Sequence, residues 1–305
     1  MCSYNQLKNE LISKYRDIRK NSLPEWAVHK ISPSNTDKIV VPTIPFIGKH
    51  YAEQKTKILV YASAEVLTDY CYGQKTDRPW LDEDEKAENR HRKCFDESIS
   101  QPNIFFPNVH ITPMNDGALA TAVMYLTTFL RDEQINEPRS FYETIAIGNY
   151  GKFSIETEYQ YELRMNTCLS DEERRILKKE KQNINKDYAG NIDFLKASHE
   201  YIRADIDLLK PDYIIMPKVE DKGFLDSIIS PHTKKIEIYQ MGSTVINNMG
   251  LNGRNNPNNI YKSRDIEQLP NVIQRAYQEI KGINHEKYSY VFDYLDKKIS
   301  HLLKK

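Results

Sequence analysis

Apolar and polar positions along this chain form short continuous apolar runs separated by segments with helical periodicity. The clearest run is Lys57–Glu65, in which β-branched and aromatic residues lead into small residues and one carboxylate. Runs of this length and composition are typical of strands buried on both faces of a parallel sheet. Residues 211–217 and 235–243 repeat the pattern. The three runs predict strands that each end in a loop at the carboxyl end.

Helical periodicity surrounds these runs. Tyr4–Lys20 places its apolar residues on one stripe, and Ala118–Leu130 is the most apolar helical segment in the chain. Further helices are predicted at 192–210, 269–283 and 285–303. Strands that alternate with helices are typical of a parallel sheet with right-handed crossovers. We therefore predict an α/β fold, a three-layer sandwich with a mainly parallel central sheet.

Two segments interrupt this alternation. Four prolines make residues 22–51 an extended arm, which we expect to pack on the body of the protein through Trp26 and Phe46. Residues 152–191 are polar and contain a capping-box sequence, Ser170-Asp-Glu-Glu173, that predicts the start of a helix without an apolar face. We interpret this second segment as a helical insertion that projects from the core.

Weaker strand signals complete the predicted sheet. Val109–Thr112 is stopped by a proline, and Thr144–Gly151 is expected to break at its two glycines. The predicted organisation has three parts: an N-terminal helix and proline-rich arm (1–51), an α/β core that carries the insertion (52–283), and a C-terminal helix packed on the core (284–305).

Composition narrows the functional class. The chain has 305 residues with 39% apolar content, which is enough for a hydrophobic core, and its 43 basic residues balance 43 acidic ones. No overall field therefore attracts it to nucleic acid or to a lipid surface. Its apolar runs are far shorter than the roughly 20 residues that span a bilayer, and a signal-peptide pattern is missing. We expect a cytoplasmic protein with no membrane partner and with reduced thiols, since its four cysteines are scattered.

Standard catalytic motifs do not occur in the sequence. It contains no Gly-x-Gly-x-x-Gly, no Walker phosphate loop and no Gly-x-Ser-x-Gly elbow. His91 and Cys94 are three positions apart on a predicted helix, but two ligands fall short of a zinc site. We expect no metal and no cofactor, and the oligomeric state is left undefined.

The predicted site lies beyond the carboxyl ends of the strands, where open α/β sheets bind their ligands. Glu65 is the candidate catalytic residue because it follows the first strand and can orient a water; capping of the next helix is the alternative. The candidate ligand-binding residues are small or turn-forming residues of three loops: Ala62, Ser63, Ala64, Pro113, Asn115, Gly117, Gly242, Ser243 and Thr244. Ser243 and Thr244 are candidate donors to a phosphate, with an ordinary capping turn as the alternative.

Several short motifs between about residues 42 and 250 occur in an order that is typical of one known family. An arm with Pro45–Gly48 and an aromatic residue precedes the strand Ile58–Tyr61 and its loop. A helix end and strand at 208–216, another strand, and a terminal loop at 241–247 follow later. This arrangement resembles that of the uracil-DNA glycosylase superfamily.

The resemblance implies hydrolysis of an N-glycosidic bond in DNA or in a nucleotide. In that family the loop after the first strand carries the water-activating residue, which corresponds to Ala62–Glu65. The loop after the last strand usually reads His-Pro-Ser, which corresponds to Met241–Ser243, where this chain has no histidine. A flipped base would stack on an aromatic residue, for which Tyr61, Tyr70 and Phe106 are the candidates.

Three functions follow from the sequence. The first is a uracil-DNA glycosylase-like hydrolase that acts on DNA or a nucleotide with a carboxylate-positioned water. The second is a catalytically inactive member of that fold, which binds nucleic acid, a nucleotide or a protein partner. The third is a small-molecule hydrolase on a doubly wound sheet.

Overall fold

The computed structural model describes residues 3–22, 28–29, 38–39, 44–64, 117–132, 135, 138–152, 170–176, 192–219, 221, 223–250, 261–280 and 284–303. The helices are α1 (Tyr4–Ser22), α2 (Ala118–Arg131), α3 (Pro138–Tyr142), α4 (Ile192–Leu209), α5 (Phe224–Ile228), α6 (Ser243–Asn248), α7 (Asn271–Glu279) and α8 (His285–Leu303). The strands are β1 (Val28–His29), β2 (Lys38–Ile39), β3 (Phe46–Ile47), β4 (Ile58–Ala64), β5 (Ala146–Gly151), β6 (Tyr213–Pro217) and β7 (Lys234–Ile238). Short helical turns occupy Tyr51–Glu53, 171–176 and Ile266–Gln268.

The strands described in the core form one five-stranded sheet in the order β3-β5-β4-β6-β7. β5, β4, β6 and β7 are parallel to one another, and β3 is antiparallel to β5. Across the sheet the parallel strands follow the order β5, β4, β6, β7. The chain therefore moves from β4 to one side for β5 and then to the other side for β6 and β7, which is a doubly wound order with its reversal between β4 and β6. The predicted α/β class with a mainly parallel sheet is confirmed. β1 and β2 pair with each other in a separate antiparallel ribbon.

The two faces of the sheet are covered by different helices. Ile58 and Val60 of β4 belong to a cluster with α2, α7 and α8, whereas Leu59 and Tyr61 belong to a cluster with α1 and α4. Side chains of a strand alternate between the faces of its sheet, so the two clusters lie on opposite faces. We call these the α2 face and the α4 face.

Helix α2 runs antiparallel to the parallel strands. Arg131 at its end donates from Nε to the carbonyl oxygen of Thr56 at 3.0 Å and from Nη1 to Oγ1 of Thr144 at 2.7 Å. Both acceptors lie just before strands, at the amino edge of the sheet. The other end of α2, at Gly117, therefore points toward the carboxyl edge, where the site was predicted.

Two strand boundaries differ from the prediction. β4 continues to Ala64 instead of ending at Tyr61, because Ala62 and Ala64 pair with residues of β5. β5 runs through Gly148 without a break. A Cβ at Gly148 would lie 3.2 Å from the Pro45 ring and 3.4 Å from the Tyr61 ring, so this glycine allows close packing and does not end the strand.

The end of the N-terminal arm belongs to the sheet. Phe46 is buried and pairs with Ile147 in β3, and a Cβ at Gly48 would lie 2.3 Å from the backbone of Glu143. A glycine is required at this close approach. The predicted anchor Trp26 and the predicted strand Val109–Thr112 lie outside the described residues.

The start of the predicted insertion lies inside the protein. Lys152 was assigned to a projecting polar segment, but its side chain is completely buried on the α4 face. The capping box is confirmed: Oγ of Ser170 accepts from the backbone N–H of Glu173, whose carboxylate accepts from the N–H of Ser170 at 2.8 Å. Across the described ranges, no helix is both long and apolar enough to cross a membrane.

Candidate functional site

The predicted site residues that the structure describes lie at or near the carboxyl edge of the sheet. Ala62, Ser63 and Ala64 are the last residues of β4, Gly117 precedes α2, and Gly242, Ser243 and Thr244 lie at the start of α6. Glu65, Pro113 and Asn115 lie outside the described residues. β7 is two strands from β4, about 10 Å at normal strand spacing, so the loops after these strands share an edge without being neighbours.

Asn149 is the polar residue that the sequence prediction missed. It is buried near the carboxyl end of β5, and its direct partner on β4 is Ala62. Ile147, two residues earlier, belongs to the α2 face, so the Asn149 side chain is on that face too. Its Oδ1 atom is buried and has no hydrogen-bond partner among the described residues. A buried polar atom of this kind requires an explanation, and a ligand is one.

The residues next to Asn149 in the sheet have small side chains. Ala62 on the neighbouring strand and Gly151 farther along β5 carry little or no side chain. Helix α2 begins at Gly117, which has a φ of 83° and no side chain to cap the helix. The first N–H groups of a helix lack partners within it and carry partial positive charge. The carboxyl edge on the α2 face thus combines small residues, helix amides and a buried amide oxygen that has no partner among the described residues.

The α4 face carries a buried ionic network around Asp205. Tyr15 on α1 donates its hydroxyl to Oδ1 of Asp205 at 2.7 Å, and Tyr61 on β4 donates to Oδ2 at 2.7 Å. The ammonium of Lys152 also donates to Oδ2. We call these four residues the Asp205 network. None of them has solvent-exposed surface, so the network cannot touch a ligand directly.

Helix α4 positions this network. Asp205 and Ser198 are seven residues apart and lie on the buried stripe of α4, with Ile202 between them. The backbone N–H of Lys152 donates to Oγ of Ser198 at 3.0 Å, so Lys152 is bound to α4 through both its backbone and its side chain. The segment that follows β5 is therefore fixed to this helix.

Burial shifts the pKa values in the network. Burial lowers the pKa of Lys152 from its ordinary value of 10.5, although the Asp205 carboxylate acts in the opposite direction. Burial and the nearby carboxylate raise the pKa of Tyr15 and of Tyr61 above 10. Both tyrosines are therefore neutral donors at physiological pH. The Tyr61 side chain is fully buried and bonded to Asp205, so a base cannot stack on it. The other two candidates for base stacking, Tyr70 and Phe106, lie outside the described residues.

A further hydrogen bond holds the end of β5, beside the point where the strand order reverses. The hydroxyl of Tyr150 on β5 donates to the carboxylate of Asp221, which follows β6. β4 lies between these strands, so the bond passes over the carboxyl end of β4 on the α4 face. Burial raises the pKa of Asp221 from its ordinary value of 3.8, although hydrogen bonds from backbone N–H groups lower it.

A small open pocket lies beside this hydrogen bond. Its volume is about 260 Å³, and it is lined by Leu195, Lys196, His199, Asp221, Gly223, Phe224 and Ser227. The His199 ring stacks on Phe224 with 3.6 Å between ring centroids, and burial lowers the His199 pKa from its ordinary value of 6.5. Within the part of the chain that the structure describes, no group of three or more His, Cys, Asp or Glu residues is placed to hold a metal ion.

Compared with protein-family models, curated proteins and solved structures, the chain matches none of them. The interpretation of the site therefore depends on its own geometry.

Proposed function

We propose that the protein is a glycosylase-type hydrolase on a three-layer α/β scaffold. It binds a nucleobase beside Asn149, on the α2 face of the carboxyl edge, and hydrolyses the N-glycosidic bond of that base in DNA or in a nucleotide. The observation that carries the proposal is the buried Oδ1 of Asn149, which has no hydrogen-bond partner among the described residues.

A carboxamide side chain is suited to reading a base. Its oxygen accepts and its nitrogen donates, so it can form paired hydrogen bonds with a base edge that presents an N–H beside a carbonyl, as uracil and thymine do. Without such a partner, a buried acceptor costs about 1–3 kcal/mol of folding free energy. A ligand that supplies the missing donor recovers this cost on binding.

The other residues of the edge support the same ligand. The N-terminus of α2, which follows Gly117, favours a phosphate near the base. Glu65 directly follows the last residue of β4, and the sequence resemblance gives this position the role of orienting the attacking water. We assign Glu65 that role, and we assign Gly242, Ser243 and Thr244 to contacts farther along the same edge.

The test combines binding and turnover. The protein is titrated with dUMP and with a single-stranded oligonucleotide that contains one deoxyuridine, and release of the free base is followed by chromatography. We expect Asn149→Leu to weaken binding at least about tenfold, because one buried, paired amide contributes more than about 1.4 kcal/mol. Its thermal midpoint should stay equal or rise, since the unpaired acceptor is removed. Glu65→Gln should keep binding and lose base release.

Thr127→Val is the matched control. Thr127 is buried on α2, but its hydroxyl is satisfied by the carbonyl oxygen of Val123 at 2.8 Å, and it lies toward the other end of the helix. It should leave binding and turnover unchanged. Equal binding by the parent and by Asn149→Leu would contradict the proposal, and binding without base release in the parent would assign the protein to the non-catalytic alternative.

A further inference from the structure

The end of β5 is held by side chains on the face opposite Asn149. Tyr150 is tied to Asp221, and Lys152 is tied to Asp205 and to Ser198. Asn149 points to the α2 face, while the residues that fix its strand point to the α4 face. Any shift of Lys152 therefore moves the backbone that carries Asn149.

We infer that the Asp205 network is a positioning device for Asn149, and that Tyr15, on the N-terminal helix, is one of its working parts. For its ligand this inference rests on the proposed function, whereas its structural part rests on the contacts alone. The four residues are positioning residues and not catalytic ones, because they are fully buried and act through the strand end.

Stability alone does not require an ionic network at this place. A buried ion pair can often be replaced by apolar side chains of similar volume without loss of stability. Apolar packing, however, is not directional, whereas three hydrogen bonds that converge on one carboxylate have a single geometry. A binding group has to be held to within about 0.5 Å, which a directional network achieves.

The geometry also connects distant parts of the chain to one carboxylate. The donors to Asp205 come from α1, from β4 and from the residue after β5, while Asp205 itself is on α4. Tyr15 connects helix α1 to this network. Through Tyr15, the way in which α1 docks sets the position of the β5 end.

The first experiment removes the network as a whole. A variant with Tyr15→Phe, Tyr61→Phe, Lys152→Met and Asp205→Leu replaces every polar group by an apolar one of similar size. We expect a folded protein with a thermal midpoint close to that of the parent. Amide hydrogen exchange at residues 149–152 should be at least about tenfold faster, and affinity for the deoxyuridine oligonucleotide at least about tenfold weaker, since small misplacements of a binding group are costly.

A milder pair of variants covers the case in which the fourfold variant does not fold. Tyr15→Phe removes one donor to Asp205. Tyr51→Phe is its matched control, because Tyr51 is equally buried on the same face and its hydroxyl donates to the carbonyl oxygen of Leu209 at 3.1 Å. We expect Tyr15→Phe to speed exchange at residues 149–152 and to weaken binding, and Tyr51→Phe to change neither.

Two results would overturn the inference: folded network variants with parental exchange and affinity, or equal effects of Tyr15→Phe and Tyr51→Phe. The exchange measurement separates this inference from the proposed function. If the parent binds neither dUMP nor the oligonucleotide, but Tyr15→Phe still speeds exchange at 149–152 and Tyr51→Phe does not, the proposed ligand is wrong and the positioning role stands.

Discussion

The two faces of the central sheet are packed by different means. On the α2 face, buried apolar side chains from α2, α7 and α8 dominate, and the buried hydroxyls of Thr121, Thr127 and Tyr288 donate to backbone carbonyl oxygens. On the α4 face, an equally buried cluster encloses a lysine, an aspartate and two tyrosines, which connect three elements and the residue after β5. The faces share the same strands, so the contrast concerns the packing chemistry alone.

The contrast indicates a division of roles. Apolar packing on the α2 face stabilises the fold by removing surface from water, and it tolerates small shifts. The α4 face adds directional contacts to a buried carboxylate, which specify position more than they add stability. The Asp205 network lies on the α4 face of the strand end that carries Asn149, and the proposed binding surface lies on the α2 face.

The largest effect should come from placing a charge on the apolar face. Val60→Asp puts a carboxylate where the surrounding cluster offers apolar side chains, and the cost of several kcal/mol compares with a total stability of about 5–15 kcal/mol. We expect the variant to be unfolded at 25 °C by circular dichroism. Charge reversal at the exposed Arg175 should change stability by no more than about 0.5 kcal/mol, and similar shifts for both changes would refute the burial of β4.

The next effect should come from removing one charge from the Asp205 network. Asp205→Leu leaves the Lys152 ammonium buried and unpaired, and we expect a loss of about 3–5 kcal/mol in urea unfolding. Adding Lys152→Met should restore part of this loss because the unpaired charge is then gone. Additive losses in the double variant would show that the two residues do not form a pair.

High pH should weaken both faces. Burial raises the pKa of Tyr15 on the α4 face and of Tyr288 on the α2 face above 10, so the folded state keeps protons that the unfolded chain releases. Each such tyrosine contributes stability that is complete below pH 10 and is lost above it, by about 1.4 kcal/mol per pH unit. The lowered pKa of Lys152 acts in the opposite direction as pH rises toward 10.5.

This pH dependence is measured by urea unfolding between about pH 9 and about 11.5, a range that spans the tyrosine reference value of about 10. We expect Tyr15→Phe and Tyr288→Phe each to reduce the slope of unfolding free energy against pH by about one proton. A slope that neither variant changes would show that these hydroxyls ionise in the folded protein.

The smallest effect should come from deleting a single hydroxyl. Tyr15→Phe removes a bond to a charged acceptor and should cost about 1.5–3 kcal/mol at neutral pH, whereas Thr127→Val removes a bond to a carbonyl oxygen of its own helix and should cost about 1 kcal/mol or less. Chemical denaturation of the two variants at pH 7 checks the difference. Equal costs would remove the distinction between the faces.

Periodicity along the chain predicted the elements whose signal is local. The apolar stripe of Tyr4–Lys20, the apolar helix from Ala118 and the short runs that became β4, β6 and β7 each carry their pattern within one segment. The helix α6 was assigned to a loop, since Ser243–Asn248 is short and has too few apolar residues to show a period.

The long-range contacts had no such signal. Nothing near Lys152 in sequence shows that it meets Asp205, because the partner lies on a separate helix 53 residues later. The sequence predicts a strand break at Gly148, whereas in the folded protein this glycine allows close packing against Pro45 and Tyr61. Asn149 had a weak signal, an amide between an apolar run and the end of its strand, and its lack of a partner becomes visible only in the folded protein.

The central position of β4 has a consequence for synthesis on the ribosome. Val60 pairs with Ile147 and Ile215, both far along the chain, so β4 emerges long before either neighbour exists. At about 5–20 residues per second, its second partner follows after roughly 8–30 s. During that time an uncharged, β-prone segment is unpaired, and such segments are prone to aggregate. Nascent chains should therefore depend on chaperones until β6 has been made.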